Sequence, residues 1–161
     1  MNQKTAAEPS PDAVIDAFVT ASRVLVAMAA RSLADAGEEV TLTQYRSLVI
    51  LASRGPQGVA SLAEAVAVTP PTASRLVDRL LRKGLVIRRT DRHDRRQVRI
   101  ALTEAGRHLV DVVTEYRRRE ITALLGAIPV NDQRAMSKGM LKLGSAAGEV
   151  PEQDWSSGWD L

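Results

Sequence analysis

Two adjacent prolines, Pro70 and Pro71, constrain the fold of this chain more tightly than any other feature. Pro70 disfavours helical geometry at Thr69 and has no N–H to donate, so a helix arriving from the N-terminal side must stop there. The same pair suits the first turn of a new helix, where a missing N–H costs little, with Thr69 as the N-cap. A short helix through Ala67, a break, and a second helix from Pro71 to Lys83 make a helix-turn-helix. In that second helix Ala73, Leu76, Val77 and Leu80 recur at helical spacing and should face a core. Thr72, Arg75, Arg79 and Arg82 are left in a polar row, and Lys83-Gly84 supplies a basic last turn and a stop.

Charge points to what this row meets. From Pro70 to Arg99 the chain holds ten Lys/Arg against three acids, a local excess of seven, whereas the remaining residues carry a net charge of −4. Positive charge concentrated on one element over an acidic body is the footprint of phosphate-backbone recognition.

The flanking segments complete a mainly α architecture. Residues 1–9 lack periodicity and read as a flexible arm. Ser10-Pro11-Asp12 is a helix start, and Ile15, Phe18, Val19, Leu25, Val26, Ala29 and Leu33 share one face as far as Gly37. A second helix is expected to be capped by Thr43, to turn Tyr45, Leu48, Val49 and Leu51 inward, and to end at Gly55-Pro56. Ser61-Leu62-Ala63-Glu64 matches a capping box and opens the short third helix. After the helix-turn-helix, Leu85–Arg89 has strand composition, and Val98, Ile100 and Leu102 alternate with Gln97, Arg99 and Ala101. The pair forms a β-hairpin with its tip at Asp91 to Arg96, a basic wing directly after the recognition helix. Thr103 caps a long helix carrying Leu109, Val110, Val113, Ile121, Leu124 and Leu125, and some 22 residues of it would span roughly 33 Å, more than a small winged domain can cover. A last helix from Asn131 carries Met136, Met140, Leu143 and Ala147 on one face, with Val130 as a hydrophobic staple to Ala135. Residues 149–161 form an acidic tail holding both tryptophans, Trp155 and Trp159. The tail is either disordered or docked in an apolar groove or dimer interface.

Other chemistries find little support. Without cysteine there is no disulfide, thiolate metal site or thiol redox sensor. His93 and His108 have no second ligand at metal spacing, no nucleophile elbow or phosphate-binding glycine loop occurs, and the reading is neither an enzyme nor a cofactor protein. No basic N-terminal leader and no apolar run approaching 18 residues is evident, which makes a cytoplasmic protein without membrane contact the expectation.

The runs Ala73-Ser74-Arg75-Leu76-Val77-Asp78-Arg79-Leu80, Lys83-Gly84-Leu85-Val86, Arg89, Asp91, Asp94-Arg95-Arg96 and Leu102-Thr103-Glu104-Ala105-Gly106, in this order and spacing, resemble the MarR family of bacterial transcriptional regulators. The resemblance implies a winged helix-turn-helix over 41–102 with dimerisation helices at 10–37 and 103–148. It implies a homodimer that binds double-stranded DNA at a near-palindromic operator, usually as a repressor. Many such proteins release DNA when a small aromatic or phenolic anion enters a cleft between the dimerisation helices and the winged domain.

Within that frame Thr72, Ser74, Arg75 and Arg79 are the major-groove candidates, Arg75 having the geometry to bridge guanine O6 and N7. Asp94-x-Arg96 resembles the family's wing-tip motif, in which the acid orients an arginine into the minor groove with Arg95 beside it. Arg82, Arg88, Arg89, Arg92 and Arg99 are read as phosphate contacts, and the wing arginines alternatively as salt-bridge partners of Asp91 and Asp94. The bland alternative for the helix is a solvated face whose arginines pair with Asp78 and its neighbours. Arg117-Arg118-Arg119 reads as a solvated run partly neutralised by Glu115 and Glu120; the rival is that one of these, or Arg46 or Arg23, lines an effector cleft.

Overall fold

Side-chain caps start three of the six described α-helices in the computed structural model, which describes residues 9–37, 39–90 and 97–155. Helix α1 (Pro11–Asp35) begins with the Ser10 hydroxyl accepting from the amide of Ala13 at 3.2 Å. Helix α2 (Leu42–Arg54) is capped by Thr41, not Thr43. Gln44 lies three residues after Thr41, and its side chain accepts from the Thr41 amide while the Thr41 hydroxyl accepts from the Gln44 amide. Helix α3 (Val59–Ala65) starts at Gly58 without a side-chain cap, so Ser61 sits inside the helix and the proposed box with Glu64 does not form. Leu62 and Ala63, both buried, set this helix's position by packing. It also ends two residues earlier than Ala67, which adopts a left-handed φ of +54° in the turn.

Helix α4 (Pro70–Arg82) then runs as the proline pair dictates, with Ala73, Leu76, Val77 and Leu80 all buried. Strands β1 (Val86–Thr90) and β2 (Val98–Leu102) pair antiparallel, Val86 opposite Leu102 and Arg89 opposite Arg99. Gln57 adds a bridge to β2, donating to the Ile100 carbonyl at 3.0 Å and accepting from the Ile100 amide at 2.8 Å. The expected alternation holds only towards the base of β2. Ile100 and Leu102 are buried but Val98 is exposed, while Ala101 is buried on the opposite face. Helix α5 (Glu104–Leu125) is joined to this hairpin through Thr103, whose hydroxyl accepts from the Gly106 amide and donates to the Gly84 carbonyl at 2.6 Å. Gly106 is required there, since a Cβ would lie 2.0 Å from the Leu85 carbonyl oxygen.

The core sits in the winged unit: Leu48, Leu51, Leu62, Leu80, Ile100 and Val113 are among its fully buried side chains, each stabilising by about 1.5–3 kcal/mol. Buried polar groups are paired, Ser32 with the Met28 carbonyl and Ser47 with that of Thr43. Outside this unit burial falls away. Only Met28, Ser32 and Leu33 are buried in α1, and nothing is buried in α6 (Val130–Ala146). Val130 is the first residue of α6 and 61% exposed, so it makes no staple to Ala135; Pro129 takes the N-cap position. Helix α1 also departs from the expectation about apolar runs. It contains an 18-residue window of mean hydropathy 1.7, long and apolar enough to cross a membrane by length and composition. Alanines fill the gaps between its larger apolar residues, and a count of large side chains misses them. Helix α1 packs along α5, where Arg31 makes a two-pronged ion pair with Glu120 at 3.0 and 3.1 Å.

Candidate nucleic-acid interface and the cleft beside it

Helix α4 carries its charge on one side because its apolar residues are committed to the other. Thr72, Ser74, Arg75, Arg79 and Arg82 are all exposed, and Arg75, Arg79 and Arg82 make no ion pair with another described residue. At its N-terminus the Thr69 and Thr72 hydroxyls lie 2.9 Å apart in a mutual hydrogen bond. Thr69 therefore occupies the N-cap position without capping a backbone amide. The first turn of the helix thus presents hydroxyls and the next presents guanidinium groups.

The alternative in which Asp78 neutralises this row applies to one arginine, and that one comes from the wing. Arg88 on β1 donates to Asp78 at 2.8 Å, with both side chains 55% exposed. This fastens the hairpin base to α4 and gives Arg88 a partner other than the expected Asp91 or Asp94. Arg89 and Arg99 face each other across the hairpin. Like charges directly opposed are unfavourable in an isolated sheet and favourable beside a polyanion. Asp91, Arg92, His93, Asp94, Arg95 and Arg96 lie outside the described residues. His108 is exposed on α5, and among the described residues no group of three or more His, Asp or Glu could hold a metal ion.

Between α1, α2 and α5 lies a cleft of about 370 Å³. Its apolar wall includes Leu25, Met28, Val49 and Ile121, its polar groups are Tyr45, Arg46, Thr114, Arg117, Arg118, Glu149 and Glu152, and Trp155 also lines it. Burial of the Tyr45 phenol holds its pKa above the usual tyrosine range, because the phenolate would be desolvated. The hydrogen bond with Thr114 and the nearby Arg117 charge oppose that rise without cancelling it. Arg117 sits 5.9 Å from the centre of the Tyr45 ring. Arg46 forms a two-pronged ion pair with Glu149, and Arg118 donates to Glu152 at 2.9 Å.

Arg46, Arg117 and Arg118 thus belong to this cleft, whereas Arg23 does not line it. Glu120 is taken by Arg31 and does not neutralise the basic run, and Arg119 lies over the Tyr116 ring at 4.5 Å. Docking describes Trp155, half-buried against the core; Trp159 lies outside the described residues. Thr114, Glu149 and Glu152 escape the sequence reading, and Tyr45 enters it only as an inward-facing residue of the second helix. They are far apart in the chain, and only the packing of α2 on α5 and the return of the C-terminal segment bring them together.

A sequence model described as the MarR family matches residues 40–98, from the start of α2 into β2. The crystal structure of RV1404 from Mycobacterium tuberculosis is similar at a TM-score of 0.81 and 38% identity, covering 91% of this chain and 99% of that one. The HTH-type transcriptional repressor NicR of Pseudomonas putida is 32% identical over 98 residues, a match spanning 61% of this chain and 62% of that repressor. A mutant of S. aureus MepR bound to an oligodeoxyribonucleotide has a TM-score of 0.60 and 25% identity, covering 83% of this chain and 97% of that one. With the winged helix-turn-helix, the motifs around α4 and these similarities in agreement, the chain belongs to the MarR family.

Proposed function

We propose that this protein is a homodimeric, sequence-specific DNA-binding repressor that docks on a near-palindromic operator, with half-sites about one helical turn, roughly 10 bp, apart. Family membership makes it a transcription regulator rather than an enzyme. The observation that carries the reading is the row Thr72, Ser74, Arg75, Arg79 and Arg82, exposed along a helix whose other side is sealed into the core. The N-terminal half of α4 enters the major groove, where Arg75 reads guanine and Thr72 or Ser74 reaches a base or phosphate. Arg82, Arg89, Arg92 and Arg99 meet phosphates, Arg88 does so when released by Asp78, and Asp94, Arg95 and Arg96 serve the minor groove. NicR is named a repressor, and MepR has been crystallised with an oligodeoxyribonucleotide.

The dimer reading rests on exposed apolar surface. Val14, Ile15, Phe18, Val19 and Leu25 of α1, Ile121 and Leu124 of α5, and Met136, Met140 and Leu141 of α6 are all exposed. A groove of about 200 Å³ between these three helices is lined only by apolar side chains. A surface of this extent on a soluble chain calls for a partner, and a second copy offering the same helices satisfies a two-fold axis. The cleft lined by Tyr45, Arg46 and Arg117 is the effector site in this reading, suited to a small aromatic or phenolic anion.

Selection of bound sequences from random duplexes by the purified protein tests binding, symmetry and spacing together. An enriched inverted repeat is the expected result, with affinity falling steeply as salt rises. Salt-independent affinity, or a pool without symmetry, would overturn the proposal.

A further inference from the structure

The end of α6 is built to send the chain back onto the winged domain. Gly148 follows the C-cap with a left-handed φ of +68°, and Pro151 prevents the helix from resuming. The reversed segment is fastened at successive points. Arg54 donates to the Gly148 carbonyl at 3.1 Å, Arg46 grips Glu149, and Arg118 donates to Glu152 at 2.9 Å. A 3-10 turn over Glu152–Asp154 then delivers Trp155 to the cleft. The indole N–H is satisfied within the segment, donating to the Val150 carbonyl at 2.9 Å, so the ring is seated with no polar demand on the cleft wall.

From this geometry we infer that residues 149–155 are a strap that occupies the guanidinium groups of Arg46 and Arg118, and that a small aromatic anion pairing with those groups does so in exchange for Glu149 and Glu152. The strap supplies both halves of such an anion. The Trp155 ring lines the cleft, and the carboxylates of Glu149 and Glu152 sit on two of its guanidinium groups. Its fastenings suit a device that opens. Both ion pairs are well exposed, with Arg46 and Glu149 side chains 38% and 43% accessible and Arg118 and Glu152 61% and 45%. Exposed pairs of this kind hold weakly. The strap therefore taxes ligand affinity by the fraction of time it stays closed, and any change that weakens it sensitises the protein. The inference rests on the reading of the cleft as an effector site, and it deepens that reading by naming what governs entry.

The test uses the full chain with Trp159→Phe, so that Trp155 is the only indole, and sodium benzoate as the probe. Acrylamide quenching of Trp155 should be low, should rise at least about twofold in Glu149→Gln/Glu152→Gln, and should rise on saturation with benzoate. By calorimetry on the chain with Trp159 in place, benzoate should bind at least about tenfold more tightly to Glu149→Gln/Glu152→Gln, and to Trp155→Ala where that variant stays folded, than to the unaltered protein. Quenching already typical of a free indole, or benzoate bound with no change at Trp155, overturns the strap. Equal benzoate affinity in all chains overturns it while leaving the cleft an effector site. No benzoate binding even without the strap overturns the exchange and the effector reading together. Failure to bind any operator strikes the assignment of α4 alone and leaves the quenching result standing.

Discussion

Replacing Gly106 by alanine separates two lines of reasoning by sign. Helix propensity alone says the change should stabilise the protein by up to about 1 kcal/mol, because glycine is the poorer helix former. The packing says the reverse. The added Cβ falls 2.0 Å from the Leu85 carbonyl oxygen and 3.1 Å from a Leu102 methyl. Restoring an ordinary carbon–oxygen separation of about 3.3 Å means opening the start of α5 from Leu85 by more than ~1 Å. Overpacking of this kind costs about 1–3 kcal/mol, and here the obstruction is backbone, which cannot change rotamer. The movement also strains the amide of Thr103, which donates to that same Leu85 oxygen at 3.1 Å, and the Thr103 hydroxyl on Gly84. A weakened hydrogen bond adds about 1 kcal/mol. After the propensity gain is set against these losses, Gly106→Ala should destabilise by about 1–3 kcal/mol. Urea unfolding at matched protein concentration reads this as a lower midpoint with an unchanged slope. An unchanged or raised midpoint would show that this junction is not the tight approach described.

Further outcomes follow from the same geometry. Arg75→Ala should weaken operator binding and reduce discrimination between operator and random duplex by about 1–3 kcal/mol; equal losses on both duplexes in competition assays would remove its base-reading role. Asp78→Asn frees Arg88 and removes a negative charge from the row, so affinity for random duplex should rise in a filter-binding titration and the salt slope should steepen. Ala67→Gly relieves the left-handed strain in the turn and should raise the unfolding free energy by about 0.5–1.5 kcal/mol; a decrease would mean that the turn is not strained. The hydrogen bond from Arg31 holds the Glu120 carboxyl below its ordinary range. Its stabilisation is present above the unfolded glutamate value of about 4.3 and is lost as pH falls through the lower folded value. The melting-temperature gap between the wild-type protein and Glu120→Gln should therefore be widest near neutrality and close below about pH 4; a gap that widens on acidification would contradict the assignment.

What the sequence made legible was local. Ser10-Pro11, Thr69-Pro70 and Thr103 each announce a helix start that the structure contains, and the faces of α4 divide as the spacing of Ala73, Leu76, Val77 and Leu80 predicts. The errors are local too, and each reflects a degenerate signal. Thr41 and Thr43 both qualify as caps, and the choice was settled by Gln44 standing three residues after the first. Ser61 and Glu64 have the spacing of a capping box, yet burial of Leu62 and Ala63 extends the helix back to Gly58. The recognition row was visible because charge and period lie within one element. The cleft was not, because no periodicity connects Arg46 with Glu149 or Tyr45 with Thr114; that information exists only in the packed chain.

Helix α5 brings these regions into one mechanical frame. Near its N-terminus Leu109, Val110 and Val113 are buried in the winged core, a turn later Thr114, Arg117 and Arg118 line the cleft, and beyond them Ile121 and Leu124 are exposed with α1 and α6. Its 22 residues form a rod of roughly 33 Å. The lower end is gripped where Thr103 and Gly106 meet Gly84 and Leu85, immediately after α4. The cleft residues of α5 thus stand between its junction with the end of α4 and the exposed apolar face it shares with α1 and α6. In the proposed dimer, reading half-sites one helical turn apart requires the two copies of α4 to be held at a fixed separation. A continuous α5, running from the winged core into the exposed apolar face, is the element able to hold it.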